Sequence, residues 1–227
     1  MATETSEIAY EELRKFSVDE YHQMAEVINL ARHAQLLDGV ISEGGSLGEI
    51  VRRFTVDEYY KLAEAGILQS DERIELLNGL ILKMAPIGSE HADIVDLLNE
   101  IFVKKSKDRY RVGPGRPVRL GDESEPQPDI VLFDRRIRGR HPQAIDTFLL
   151  VEVSETTRSR DFGTKLNRYS ADGVSEYWIV DVAAKTVHVF RRDPAMGELQ
   201  IVADVTEGTV SLGAFPDVTI SVEEIFK

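Results

Sequence analysis

The chain has 227 residues, 42% hydrophobic and 30% charged, with no cysteine and a formal net charge of −13. This is the composition of a globular protein with its own core, and it excludes disulfides, thiolate metal ligands and a cysteine nucleophile. No apolar run approaches the roughly 18–20 residues of a membrane span, and the opening MATETSEIAYEEL lacks the basic and apolar regions of a signal peptide, so the expected setting is cytoplasmic, without a membrane partner.

Charge is unevenly spread. Residues 104–168 hold 15 Lys and Arg against 10 Asp and Glu, whereas the flanks together carry −18. The basic residues cluster in KKSKDRYRVGPGRPVR, then RRIRGR, then Arg158, Arg160 and Arg168. Such a centre permits a phosphate-facing groove, with the last three arginines as candidates; the plainer reading is a solvated surface with arginine-rich loops.

In chain order, the first feature is an internal echo. FSVDEYHQMAEVINLARHAQLLDGVI, from Phe16, resembles FTVDEYYKLAEAGILQSDERIELLNGLIL, from Phe54. Each copy starts with Ser17 or Thr55 as N-cap and a Glu three residues on, the pattern of a capping box. Glu75 of the second copy aligns with Gln35 of the first. We read a partial duplication whose first copy, residues 1–53, is an appended helical arm, joined through SEGGSLGE to a domain over 54–227.

From Phe54 the pattern is mixed α/β. A helix is expected over Val56–Ala65, and RIELLNGLILKM turns as a hairpin at Asn78-Gly79. Ser89 caps a helix in EHADIVDLLNEIFVKK, and strands follow near Tyr110–Val112 and Pro117–Leu120. PDIVLF and TFLLVEVS are the strongest strands, the second apolar enough to be central. A helix over Phe162–Ala171, the strands EYWIVD, TVHVF and LQIVAD, and a terminal helix capped by Ser221 complete a central mixed β-sheet flanked by helices.

One residue of TFLLVEVS is out of place. Alternation puts Glu152 on one strand face with Phe148 and Leu150, where a lone carboxylate is costly without a cation, a hydrogen-bond network or a metal. Asp129, opening PDIVLF, poses the same problem. Were the two strands neighbours, both acids would converge at one sheet end, as in an oxygen-liganded Mg²⁺ site. Lys165, Arg168, Tyr169 and Asp172 share a helix face, from which Lys165 could reach Glu152 and orient or deprotonate a water. Glu75 in the hairpin and His91 in the first turn of its helix are further candidates. Each has an ordinary alternative: an acid in an apolar strand more often completes an ion pair, and a helical lysine is more often on the surface.

FTVDEYYKLAEAGIL, RIELLNGLILKMAPIGSEH, PQPDIVLF and LLVEVSETTRSRDFGTKLNRYSADGVSEYWIVD together resemble the Uma2 family of the PD-(D/E)XK nuclease superfamily, over about Phe54 to Phe226. The resemblance implies a restriction-endonuclease-like α/β core and Mg²⁺-dependent hydrolysis of DNA phosphodiesters, Mn²⁺ being the usual substitute. It makes Asp129 and Glu152 the metal-binding acids, the Val153 backbone carbonyl a further ligand, Lys165 the lysine and Glu75 an auxiliary acid; His91 and Tyr169 stay auxiliary candidates from their helix positions alone. The superfamily lysine stands two residues after the second acid, where this chain has Ser154. The arm lies outside the family's usual extent, and its Gln35 cannot replace Glu75 as a metal-binding carboxylate.

Two rival readings follow from the same residues. The displaced lysine and the acidic total fit a nuclease-fold binding protein with little or no turnover. The duplicated arm fits an interaction protein that forms a homodimer.

Overall fold

The computed structural model describes residues 10–31, 33–43 and 50–227; the first nine residues and all of the expected linker from residue 44 on lie outside these. The chain divides into two compact units, Met1–Met84 with Gly121–Pro126, and Ala85–Leu120 with Gln127–Lys227. Both copies of the echo fall in the first.

In that unit each copy is a helix followed by a hairpin, so the arm carries strands as well as its helix. The first copy comprises α1 (Val18–Val27), β1 (Ala34–Leu37) and β2 (Val40–Glu43); β3 (Ile50–Val51) leads into the second, which comprises α2 (Val56–Glu64), β4 (Ile74–Leu77) and β5 (Leu80–Lys83). Both helices begin with the expected capping box, Ser17 with Glu20 and Thr55 with Glu58. Both hairpins turn on two residues with positive φ, Asp38-Gly39 and Asn78-Gly79, as the right-handed twist of paired strands requires. Burial separates the copies: β4 is buried throughout, whereas β1 is half-buried to exposed.

The second unit is built on α3 (Ser89–Ser106) and a six-stranded sheet. Its strands are β6 (Tyr110–Pro114), β7 (Ile130–Asp134), β8 (Thr147–Ser154), β9 (Glu176–Asp181), β10 (Thr186–Arg192) and β11 (Leu199–Val205), in the spatial order β11-β10-β9-β8-β7-β6. Only the β8–β9 pair is parallel, and β8 and β9, central and nearly all buried, are its most apolar members. Between them run α4 (Arg158–Arg160), a π-helical turn (Asp161–Lys165) and α5 (Leu166–Ala171). A ribbon of β12 (Thr209–Ser211) and β13 (Thr219–Ser221) precedes α6 (Val222–Ile225), capped by Ser221 as expected. One sheet face packs Leu149, Val151 and Val153 against Ile94, Leu98 and Phe102 of α3; the other packs Leu150 and Ile179 against Tyr169 of α5.

Four local expectations are corrected. Ser89 is the first helical residue and Gly88 holds the N-cap position, where a Cβ would meet the Glu155 carboxylate at 2.7 Å. Pro117–Leu120 is no strand; Arg119 makes a single bridge to Gln143. Phe148 does not share the face of Glu152, because the ladder slips between Leu132 and Phe133, which face Leu149 and Thr147. That bulge leaves Phe148 as the extra residue and turns it onto Phe215 on the α3 side. The helix expected from Phe162 starts earlier and widens into the π-turn.

Candidate active site

The π-turn, β8 and the start of β7 meet at one end of the sheet. Ile130 opposite Val151 closes the β7–β8 ladder at this end, so Asp129 stands just before the start of β7, level with Glu152 and Val153. Its carboxylate continues the ladder: Oδ2 accepts the Val153 N–H at 2.7 Å. Its other oxygen, Oδ1, is 3.0 Å from Nε2 of His91, in the first turn of α3. In an extended strand a residue's N–H and C=O point to the same side, so the Val153 carbonyl also turns toward the Asp129 edge, where β7 has not yet begun.

Glu152 is 4% exposed and lies on the face of Leu150. The helix face singled out from its spacing divides into two pairs. Lys165 Nζ donates to Glu152 Oε1 at 2.9 Å, and the Tyr169 hydroxyl donates to the same oxygen at 2.8 Å. Arg168 and Asp172 instead pair with each other. Lys165 and Tyr169 are both buried, so the hydrogen bonds and opposite charge that a buried carboxylate needs come from one turn of one helix.

Asp161 is a member of this cluster that the sequence reading passed over. It is 1% exposed, at the start of the π-turn, and accepts a hydrogen bond from Thr157. Burial pushes its carboxyl above the ordinary aspartate range; Lys165, Thr157 and Ser154 pull it back, and the Asp129 charge raises it further. Asp161 thus feels the charges of both Lys165 and Asp129. The available signal was an acid four residues before a lysine, which places both on one helix face.

Glu75 is wholly buried on β4 of the first unit, opposite Leu82. Together with burial, the charges of Glu125, Glu75 and Glu72 push the neighbouring Tyr59 phenol up to about 12. Arg158 forms an ion pair with the buried Asp181 and covers the Phe162 ring at 4.4 Å. Arg160 is buried. Much of the remaining basic centre has acidic partners: Lys104 with Glu100, Arg109 with Asp217, Arg135 with Asp108, Arg136 with Asp134, and Arg140 with Asp146.

A six-stranded mixed sheet with helices on both faces, and two acids and a lysine gathered at one end, defines the class: a nuclease fold of the restriction-endonuclease type. A solved structure described as a "putative nuclease belonging to DUF820", from Anabaena variabilis ATCC 29413, shares it, with a TM-score of 0.61 at 20% identity over 76% of this chain and 97% of that one. The family model of Uma2, described as "Putative restriction endonuclease", matches residues 56–223, and the chain belongs to that family. The type IIG restriction endonuclease BpuSI is similar at 18% identity over 63% of this chain and 16% of its own, but its TM-score of 0.38 adds nothing to the fold assignment. No curated protein matches the chain.

Proposed function

We propose that the chain is a Mg²⁺-dependent DNA endonuclease, with Mn²⁺ able to serve, and that it hydrolyses phosphodiester bonds at the Asp129–Glu152–Lys165 cluster. The observation that carries this reading is the buried contact of 2.9 Å between Lys165 Nζ and Glu152 Oε1. The strand position where the superfamily has its lysine is Ser154, and an amine from the following helix stands beside the second acid instead.

The donor set fits a hard divalent cation. Asp129 and Glu152 offer carboxylates and Val153 a carbonyl, all oxygen. Among the described residues no group of three or more His, Asp or Glu side chains could hold a metal ion. An ion bound through one or two carboxylates would be completed by water and phosphate. When bound, such an ion offsets charge developing on the phosphate and makes a bound water more acidic.

The protein groups have separate tasks. Tyr169 and Lys165 fix Glu152 through one oxygen. The Val153 N–H and His91 fix Asp129 through both of its oxygens. Lys165 orients the attacking water and offsets negative charge at the scissile phosphate. Glu75 serves as the auxiliary acid, and of the three candidate arginines the exposed Arg158 faces the DNA backbone, positioning it without reading sequence.

Plasmid cleavage with Mg²⁺ or Mn²⁺ tests the proposal, comparing wild type with Glu152→Ala and Asp129→Ala. We expect chelator-sensitive conversion by wild type and a loss of about 10³-fold or more in each variant. Equal, chelator-insensitive conversion by all three sinks the idea. The second reading, a binding protein without turnover, is favoured by the acidic partners of the basic centre. Its signature is salt-dependent DNA affinity with no cleavage in either metal.

A further inference from the structure

The two copies of the helix–hairpin contact each other reciprocally. The lead-in to the first copy bonds the hairpin of the second: the Arg14 N–H donates to the Ile81 carbonyl at 2.8 Å, and Leu13 bridges Leu82. The lead-in to the second copy bonds the hairpin of the first: the Arg52 N–H donates to the Ile41 carbonyl at 2.8 Å, and Val51 pairs with Ser42. Arg14 and Arg52 are equivalent in the echo, as are Ile41 and Ile81.

Side chains repeat the exchange. Arg14 pairs with Glu20 and lies 4.6 Å over the Phe16 ring; Arg52 pairs with Glu58 and lies 4.7 Å over Phe54. Phe16 and Phe54 meet with their ring centroids 6.0 Å apart. Each arginine also reaches across to an acid of the other copy, Arg14 to Glu72 and Arg52 to Glu43. Both arginines are buried. A residue meeting its equivalent, with each of these two backbone contacts returned by its equivalent, is the arrangement of an isologous two-fold interface between identical protomers.

We propose that the first copy is a built-in partner: it occupies, within one chain, a two-fold interface whose natural occupant is another copy of the same helix–hairpin. The family match begins at residue 56, inside the second copy, so the first lies outside the matched residues. The lead-in and hairpin edge that would recruit a second subunit are met in cis. Two chains associate through this face only by exchanging arms, with β2 of each pairing with β3 of the other.

The full chain tests this without truncation. A protease recognition sequence inserted between Gly44 and Gly45 allows the arm to be cut free after folding. The arm should then co-elute with the remainder at the mass of a single chain. Arg14→Ala and Arg52→Ala should each weaken its retention, by about tenfold or more and to a similar degree, because each removes the equivalent buried charged contact. Release of the arm from the unsubstituted chain, or a response to only one substitution, overturns the proposal. Deleting residues 44–49 removes the connection that lets β3 fold back on β2, whose last ladder pair is Glu43 with Ile50. That variant should form a dimer with exchanged arms; a folded monomer that keeps its arm docked overturns the proposal, and the cut chain decides if the deletion does not fold.

Discussion

The second unit uses charge in two contrasting ways. At the sheet end, Asp129, Glu152, Asp161 and Lys165 come from β8, the turn after it and the approach to β7, and three of them are buried. In the basic centre, Arg136, Arg140, Arg168 and Lys104 take acidic partners two to six residues away, mostly at the surface. Exposed pairs of this kind contribute only about 0.2–1 kcal/mol. A buried carboxylate that loses its partner costs far more, about 3–5 kcal/mol. Substitutions in the two groups should therefore differ in kind as well as size.

The largest effect is expected at Lys165. Lys165→Met leaves Glu152 buried with Tyr169 as its remaining partner named above, which should cost about 3–5 kcal/mol of stability by denaturant titration. Cleavage should fall by about 10²–10³-fold, as for the loss of a group that stabilises developing charge. Adding Glu152→Gln should restore much of the stability and none of the cleavage. Joint recovery of both would make the pair a structural ion pair and end its catalytic assignment.

His91 comes next. It touches Asp129 through one ring nitrogen and belongs to a different element, so the role proposed for it is to position the carboxylate. His91→Ala should raise the Mg²⁺ concentration needed for half-maximal cleavage by about 10–100-fold, with a smaller change at saturating metal. Equal loss at all metal concentrations would remove His91 from this role.

These expectations depend on contacts of unequal visibility in the sequence. The Glu152–Lys165–Tyr169 contact was legible because two simple periods intersect: strand alternation fixes the face of Glu152, and i, i+4 spacing joins Lys165 to Tyr169. The second hairpin was legible from Asn78-Gly79, since few residue pairs accept two positive φ angles, whereas the first, at Asp38-Gly39, was passed over in an arm read as helical. Asp161 was missed because a regular helix beginning at Phe162 leaves it outside, as a mere cap; the π-turn brings it in, and no local pattern announces an i→i+5 turn. Phe148 was misplaced for a related reason: a bulge is a property of two strands together, invisible in either alone.

Asp161 also gives the comparison a pH test. Its folded-state carboxyl is held above the ordinary range by burial, so its contribution to stability is fully present below the unfolded aspartate range, near about pH 4, and is lost as pH rises through the folded value. Asn keeps the shape and stays neutral. Asp161→Asn should therefore match wild type in melting temperature near pH 4 and exceed it increasingly toward pH 7. The opposite slope would mean that the ionised form is the stabilised one, with Lys165 outweighing burial.

The smallest effect is expected at Arg136, the extreme of the second group. Its side chain is 86% exposed and forks onto Asp134, two residues before it. Arg136→Ala should change stability by no more than about 0.5 kcal/mol. Its DNA affinity separates the two readings of the basic centre. If Arg136 leaves Asp134 for a backbone phosphate, the alanine variant should lower the slope of log affinity against log salt by about 1. An unchanged slope would mean that the local carboxylate keeps it. The same measurement on Arg140, paired with Asp146, would then show whether local acids hold the whole cluster away from DNA, leaving the charge that meets a phosphate to come from the sheet end alone.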